Sequence, residues 1–134
     1  MNDAQPRSVV VEREFPHAPE KIWRALTQPH LIEEWLMKNN FKPVPDHRFE
    51  LAFDWGTVEC VVREIEPQST LSYTWTSGTL DSVVTWTLEP TSSGTRLRME
   101  QTGFPEDQPR YLMGATAGWP RFLDAMEAVL ARID

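Results

Sequence analysis

Cysteine is nearly absent. Cys60 is the single one, so no internal disulfide can close, which suits a reducing compartment. No run of about 18 apolar residues occurs, and none of the predicted helices is expected to cross a bilayer. The start, MNDAQPRSVV, has no long apolar signal core, and the expectation is a cytoplasmic protein without membrane contact. Basic residues are also scarce: 13 against 20 acidic, for a formal net charge of −7. They are scattered rather than clustered, which argues against a nucleic-acid partner.

The usual chemical motifs are missing too. There is no HExxH, no paired-cysteine spacing, no GxSxG elbow and no GxxxxGK[ST] loop. His17, His30 and His47 are far apart, so no metal and no cofactor is called for. Cys60 has no histidine near it in sequence and reads as a small buried residue, because a nucleophilic thiol needs a base and a lowered pKa.

What is present fits one domain: 134 residues, 40% hydrophobic and 25% charged. Residues 1–7 read as a flexible tail and 8–134 as the domain. Ser8 to Phe15 is a strand with Val9, Val11 and Phe15 on one face and Arg13 interrupting it. Pro19 opens a short helix striped by Ile22, Trp23 and Leu26. After TQP, Leu31, Ile32, Trp35 and Leu36 stripe a second. NNFKPVPDH at 39–47 reads as a loop.

Strands then follow with short turns. Phe49, Leu51 and Phe53 alternate; so do Val58, Cys60 and Val62, although Val61 and Ile65 favour the other face and leave that register open. In LSYTWTSGTLDSVVTWTLEP at 71–90, Leu71, Tyr73, Trp75, Val84, Trp86 and Leu88 occupy every second position. Leu97, Met99 and Gln101 continue the pattern. Residues 103–118 read as an irregular connection. The chain ends in a helix striped by Trp119, Phe122, Leu123, Met126, Leu130 and Ile133, with Pro120 in its first turn or kinking it. The predicted class is α+β: a curved antiparallel meander wrapped around the long C-terminal helix, with two short helices closing one end.

Four stretches carry a resemblance: HAPEKIWRALTQPHLIEEWL at 17–36, REIEPQSTLSYTW at 63–75, VVTWTLEPTSSGTRLRMEQTGFP at 83–105 and GWPRFLDAMEAVL at 118–130. In this order the chain resembles the activator of heat-shock protein 90 ATPase homologue-like family, of the START-like (SRPBCC) superfamily with the helix-grip fold. It departs from the family at PVPDHRF, 43–49, where a glycine-rich entry is common, in a short hairpin at 76–82, and at Pro120. The resemblance implies a cavity between sheet and long helix. Members include lipid carriers, cyclases, resistance proteins and co-chaperone domains, so the resemblance implies no single ligand.

The residues expected around a ligand are Trp35, Phe53, Trp55, Cys60, Val62, Tyr73, Trp75, Trp86, Met99, Gln101, Trp119, Phe122 and Met126, with Arg13, Glu64 and Asp81 as candidate polar groups. Gln101 reads equally as a ligand contact or an internal hydrogen bond. The sheet and helix aromatics either pack together or are separated by a ligand. A dry void of about 300 Å³ would cost on the order of 7 kcal/mol at about 24 cal/mol per Å³, against a usual stability of about 5–15 kcal/mol. A modest pocket is therefore expected.

Three functions fit. The first is non-catalytic binding of a small hydrophobic or aromatic molecule. The second is a cyclase- or hydrolase-like enzyme using Arg13, Glu64, Asp81 or Gln101. The third is a co-chaperone partner of heat-shock protein 90. A monomer or a weak homodimer suits each.

Overall fold

The computed structural model describes residues 7–54 and 56–134. The elements are β1 Arg7–Phe15, α1 Pro19–Thr27, α2 Pro29–Trp35, β2 Lys38–Asn39, β3 Arg48–Phe53, β4 Gly56–Glu66, β5 Thr70–Ser77, β6 Leu80–Thr91, β7 Gly94–Phe104 and α3 Pro109–Arg132. The strands form one open, curved, antiparallel sheet in the order β1-β7-β6-β5-β4-β3-β2. The expected tail falls, apart from Arg7, outside the described residues; Arg7 pairs with Phe104 at the head of β1.

Alternation decides which face is covered. Trp86 lies opposite Leu71 on β5 and Met99 on β7, and Val84 opposite Tyr73 and Gln101. These side chains, with Val58, Cys60 and Val62 of β4, are buried on the concave face. The other face carries threonines and charged residues such as Thr87, Arg98 and Glu100.

Proline opens all three helices in its favoured first-turn place. α1 and α2 close one end of the sheet: Ile22, Ala25, Leu26, Leu31, Ile32 and Trp35 are all buried. The Trp35 indole donates to the Ala25 carbonyl at 2.7 Å and meets Trp86 edge to face at 5.6 Å. α3 lies in the concavity through Trp119, Leu123, Met126, Val129 and Leu130.

Two local expectations are corrected. Residues 103–118 are not an irregular connection: Gly103 and Phe104 finish β7, and α3 begins at Pro109. Gly114, Gly118 and Pro120 suggested breakage, yet Pro120 sits inside the helix. Its missing N–H leaves the Thr116 carbonyl without its usual donor. The 39–47 loop contains part of a short edge strand, β2, which pairs with Leu51 and Ala52. Asn39 holds it by donating to the carbonyls of Pro29 and Met37.

Candidate ligand cavity

Below the covered core the sheet and α3 diverge, leaving a cavity of about 520 Å³. Trp75, Leu80, Val58 and Phe53 supply the sheet wall, with Phe104 from the end of β7. Leu36 and Met37 come from the segment after α2. Tyr111, Ala115, Gly118, Trp119 and Phe122 supply the helix wall. Positions 111, 115, 118 and 122 repeat at steps of four, three and four, one helical face. No residue of α3 before Trp119 is fully buried, so the first half of the helix roofs the cavity rather than filling it.

Trp119 marks the change from core to cavity. It meets Trp86 at 5.6 Å, Trp75 at 5.3 Å and Phe122 at 5.4 Å between ring centroids. Its indole N–H donates to Gln101 Oε1 at 2.7 Å. Gln101 Nε2 donates to Ser82 Oγ at 2.9 Å, and Ser82 Oγ donates to the Trp75 carbonyl at 2.9 Å. This buried chain ties helix to sheet. A paired polar chain of this kind fixes geometry, because each buried group left alone would cost about 1–3 kcal/mol. Gln101 thus makes the internal hydrogen bonds that the sequence left as one of two options, while its side chain still borders the cavity.

The rim is held by the β5–β6 turn. Thr79 Oγ1 donates to Gln108 Oε1 at 2.5 Å, and the Thr79 amide donates to the Tyr111 hydroxyl at 3.3 Å. Gly78, at φ +59°, makes this possible: a Cβ there would stand 2.8 Å from the Tyr111 oxygen. Hydrogen bonds from the Thr79 side chain, from Arg110 and from the Thr79 amide pull the Tyr111 phenol down to about 8.

Of the expected ligand residues, Phe53, Trp75, Gln101, Trp119 and Phe122 border the cavity. Trp35, Cys60, Val62, Tyr73, Trp86, Met99 and Met126 do not; they are close-packed core. Tyr73 accepts from the Trp86 indole at 3.0 Å, and burial raises its phenol above the ordinary value. Burial likewise pushes the Cys60 thiol up to about 12, away from nucleophilic use. Trp55 lies outside the described residues.

The three polar candidates are elsewhere. Arg13 reaches α3, where Nη1 meets Asp124 Oδ1 at 2.6 Å and Nη2 donates to the Pro120 carbonyl at 3.3 Å. Glu64 is exposed. A bulge between Val62 and Glu64 turns Ile65, opposite Leu71, onto the Val62 face and Glu64 away. Asp81 is exposed at the hairpin end and accepts from Thr76 at 3.3 Å. The residues missed by sequence reasoning are mainly Leu36, Met37, Leu80, Arg110, Tyr111, Ala115 and Gly118. The helical repeat over 111–122 was the sequence signal for Tyr111, Ala115 and Gly118. Among the described residues no group of three or more His, Cys, Asp or Glu is placed to hold a metal ion, and no helix is long and apolar enough to cross a membrane.

A seven-stranded sheet gripping a long C-terminal helix, with a cavity at one end, defines a helix-grip domain. The chain belongs to the family described as activator of Hsp90 ATPase homolog 1-like protein, which matches residues 16–131. Comparison with curated proteins finds none that matches. Among solved structures, it is similar to protein MLL2253 from Mesorhizobium loti: 57% identity, TM-score 0.92, covering 96% of this chain and 99% of that one. CalU16 from Micromonospora echinospora shares the fold at 23% identity and TM-score 0.82, over 95% and 78% of the two chains. The Aha1 dimer from Colwellia psychrerythraea shares it at 18% identity and TM-score 0.83, over 92% and 96%.

Proposed function

We propose that the protein is a cytoplasmic binding domain that holds a small, largely apolar molecule without covalent chemistry. One observation carries this: a cavity of about 520 Å³, walled by aromatic and aliphatic side chains, stays open although the neighbouring core is tightly packed. Small-molecule sites span about 300–1,000 Å³ and combine apolar walls with a few polar groups. Trp75, Trp119 and Phe122 offer flat surfaces, which suits a flat or compact occupant.

The enzyme reading loses its residues. Arg13, Glu64 and Asp81 do not border the cavity, and both ends of the Gln101 amide are engaged within the protein. The chaperone reading rests on the family's description, and the cavity lends it no support.

The test is titration of the neutral fluorophore N-phenyl-1-naphthylamine into the protein and an Ala115→Phe variant. Saturable binding at one site, lost or weakened at least tenfold in the variant, is the expected result. Binding that the variant leaves unchanged would remove the cavity from the account.

A further inference from the structure

Among the described residues, Arg110 is the one charged residue bordering the cavity. Five arginines have carboxylate partners, Arg13 with Asp124, Arg24 with Glu20, Arg96 with Glu89, Arg98 with Glu12 and Arg132 with Glu34; Arg7, Arg48, Arg63 and Arg121 have none among the described residues, but they do not border the cavity. Among the described residues, no carboxylate lies within 4.0 Å of the Arg110 guanidinium. Glu106 and Asp107 precede it in the chain and are not paired with it. Its contacts are with the neighbouring Tyr111: the ring centroid lies 5.1 Å from Cζ, and the guanidinium also helps to lower the phenol's pKa. Tyr111 is in turn fastened to Thr79, so the cation stands over a tethered side chain at the cavity mouth.

The other polar side chains around the cavity carry no charge: Ser77 offers a neutral hydroxyl, and Gln101 and Tyr111 are already engaged. Both ends of the Gln101 amide are engaged within the protein, and the Tyr111 hydroxyl is tied to the turn. We propose, building on the cavity's reading as a binding site, that its ligand is an amphipathic anion. An apolar, flat body sits in the cavity, and one carboxylate-like group meets the Arg110 guanidinium at the rim. A guanidinium presents paired N–H donors that match such a group. An anion left at the rim keeps most of its hydration, whereas one drawn deep among Trp75, Leu80 and Val58 would lose it without compensation. The ligand therefore binds tail first.

Two probes with the same body test this. One is 8-anilino-1-naphthalenesulfonate; the other is N-phenyl-1-naphthylamine, which lacks the sulfonate. Both are titrated into the protein, Arg110→Gln and Ala115→Phe, with circular dichroism melts to check folding. Arg110 is exposed and has no structural ion pair, so Arg110→Gln is expected to fold normally. The expected result is that Arg110→Gln weakens the sulfonate about three- to tenfold and changes the neutral probe less than twofold. That loss shrinks in the presence of added salt, which screens a rim charge. If Arg110→Gln shifts both probes equally, or neither, the anion assignment is wrong while the cavity reading stands. If Ala115→Phe leaves both probes bound, the cavity reading fails and the anion assignment falls with it.

Discussion

Replacing Gly114 and Gly118 by alanine should stabilise the protein while shrinking its cavity. Both lie inside α3, where glycine is worse than alanine by roughly 0.8–1.0 kcal/mol. Neither substitution meets a steric obstacle. A Cβ at Gly114 finds nothing within 4 Å, and at Gly118 it finds Phe122 Cε2 at 3.9 Å, an ordinary contact. The Gly118 methyl also enters apolar space, adding at most about 0.8 kcal/mol. The double variant should therefore gain about 2 kcal/mol. For a chain of this length that is roughly 6–10 °C in Tm. Urea denaturation should show a higher midpoint with an unchanged slope, and Gly118→Ala should bind the neutral naphthylamine more weakly. A lower midpoint in either single variant would refute the reasoning, since it would mean that residues 109–118 are not a helix roofing open space.

Gln101→Leu should lose about 1–3 kcal/mol in the same denaturation assay, because the Trp119 indole N–H is left buried without an acceptor; an unchanged midpoint would deny the chain its structural role. The two tyrosines should titrate far apart at 295 nm. Tyr111 ionises near pH 8, whereas Tyr73 stays neutral until the protein unfolds. For Tyr111 the folded value lies below the ordinary 10.0, so its contribution to stability is complete above about pH 10 and is lost as pH falls through about 8. For Tyr73 the sign is opposite, and stability declines once pH rises past about 10. Two phenols ionising together near pH 10 would contradict both environments. Cys60 should resist a disulfide reagent at pH 8 in the native protein and react on unfolding, since its thiol is buried and held up to about 12; rapid native labelling would contradict that burial.

The sheet was legible because its signal is local. Alternation at Leu71, Tyr73 and Trp75, or at Leu97, Met99 and Gln101, states which face is covered, and the turn residues place the hairpins. The bulge in β4 was not legible. It depends on how β4 pairs with β5, and it reverses the face of Glu64 against a pattern that alternation alone would extend. The start of α3 was hidden for another reason. Gly114, Gly118 and Pro120 weaken helix propensity, and packing by Tyr111, Ala115 and Phe122 overrides it.

The cavity itself was half visible. Its aromatic wall lay in the strand pattern, but the same alternation includes Tyr73 and Trp86, which are packed solid. What separates Trp75 from Trp86 is the part of α3 standing opposite, and that is a property of three-dimensional placement. The polar candidates failed similarly. Arg13 lies at a position of inward parity in β1, yet its length lets it pass along the sheet to Asp124 and the Pro120 carbonyl. Arg110 went unnoticed inside a segment read as a loop.

The most direct measurement of the central claim is isotope-filtered NMR of the protein with bound N-phenyl-1-naphthylamine. Intermolecular contacts from the naphthyl and phenyl protons to the methyls of Ala115, Leu80 and Leu36 and to the Trp75 and Trp119 rings are the expected result. Contacts confined to exposed side chains such as Val10, Val44 and Met113, with none to those groups, would contradict it.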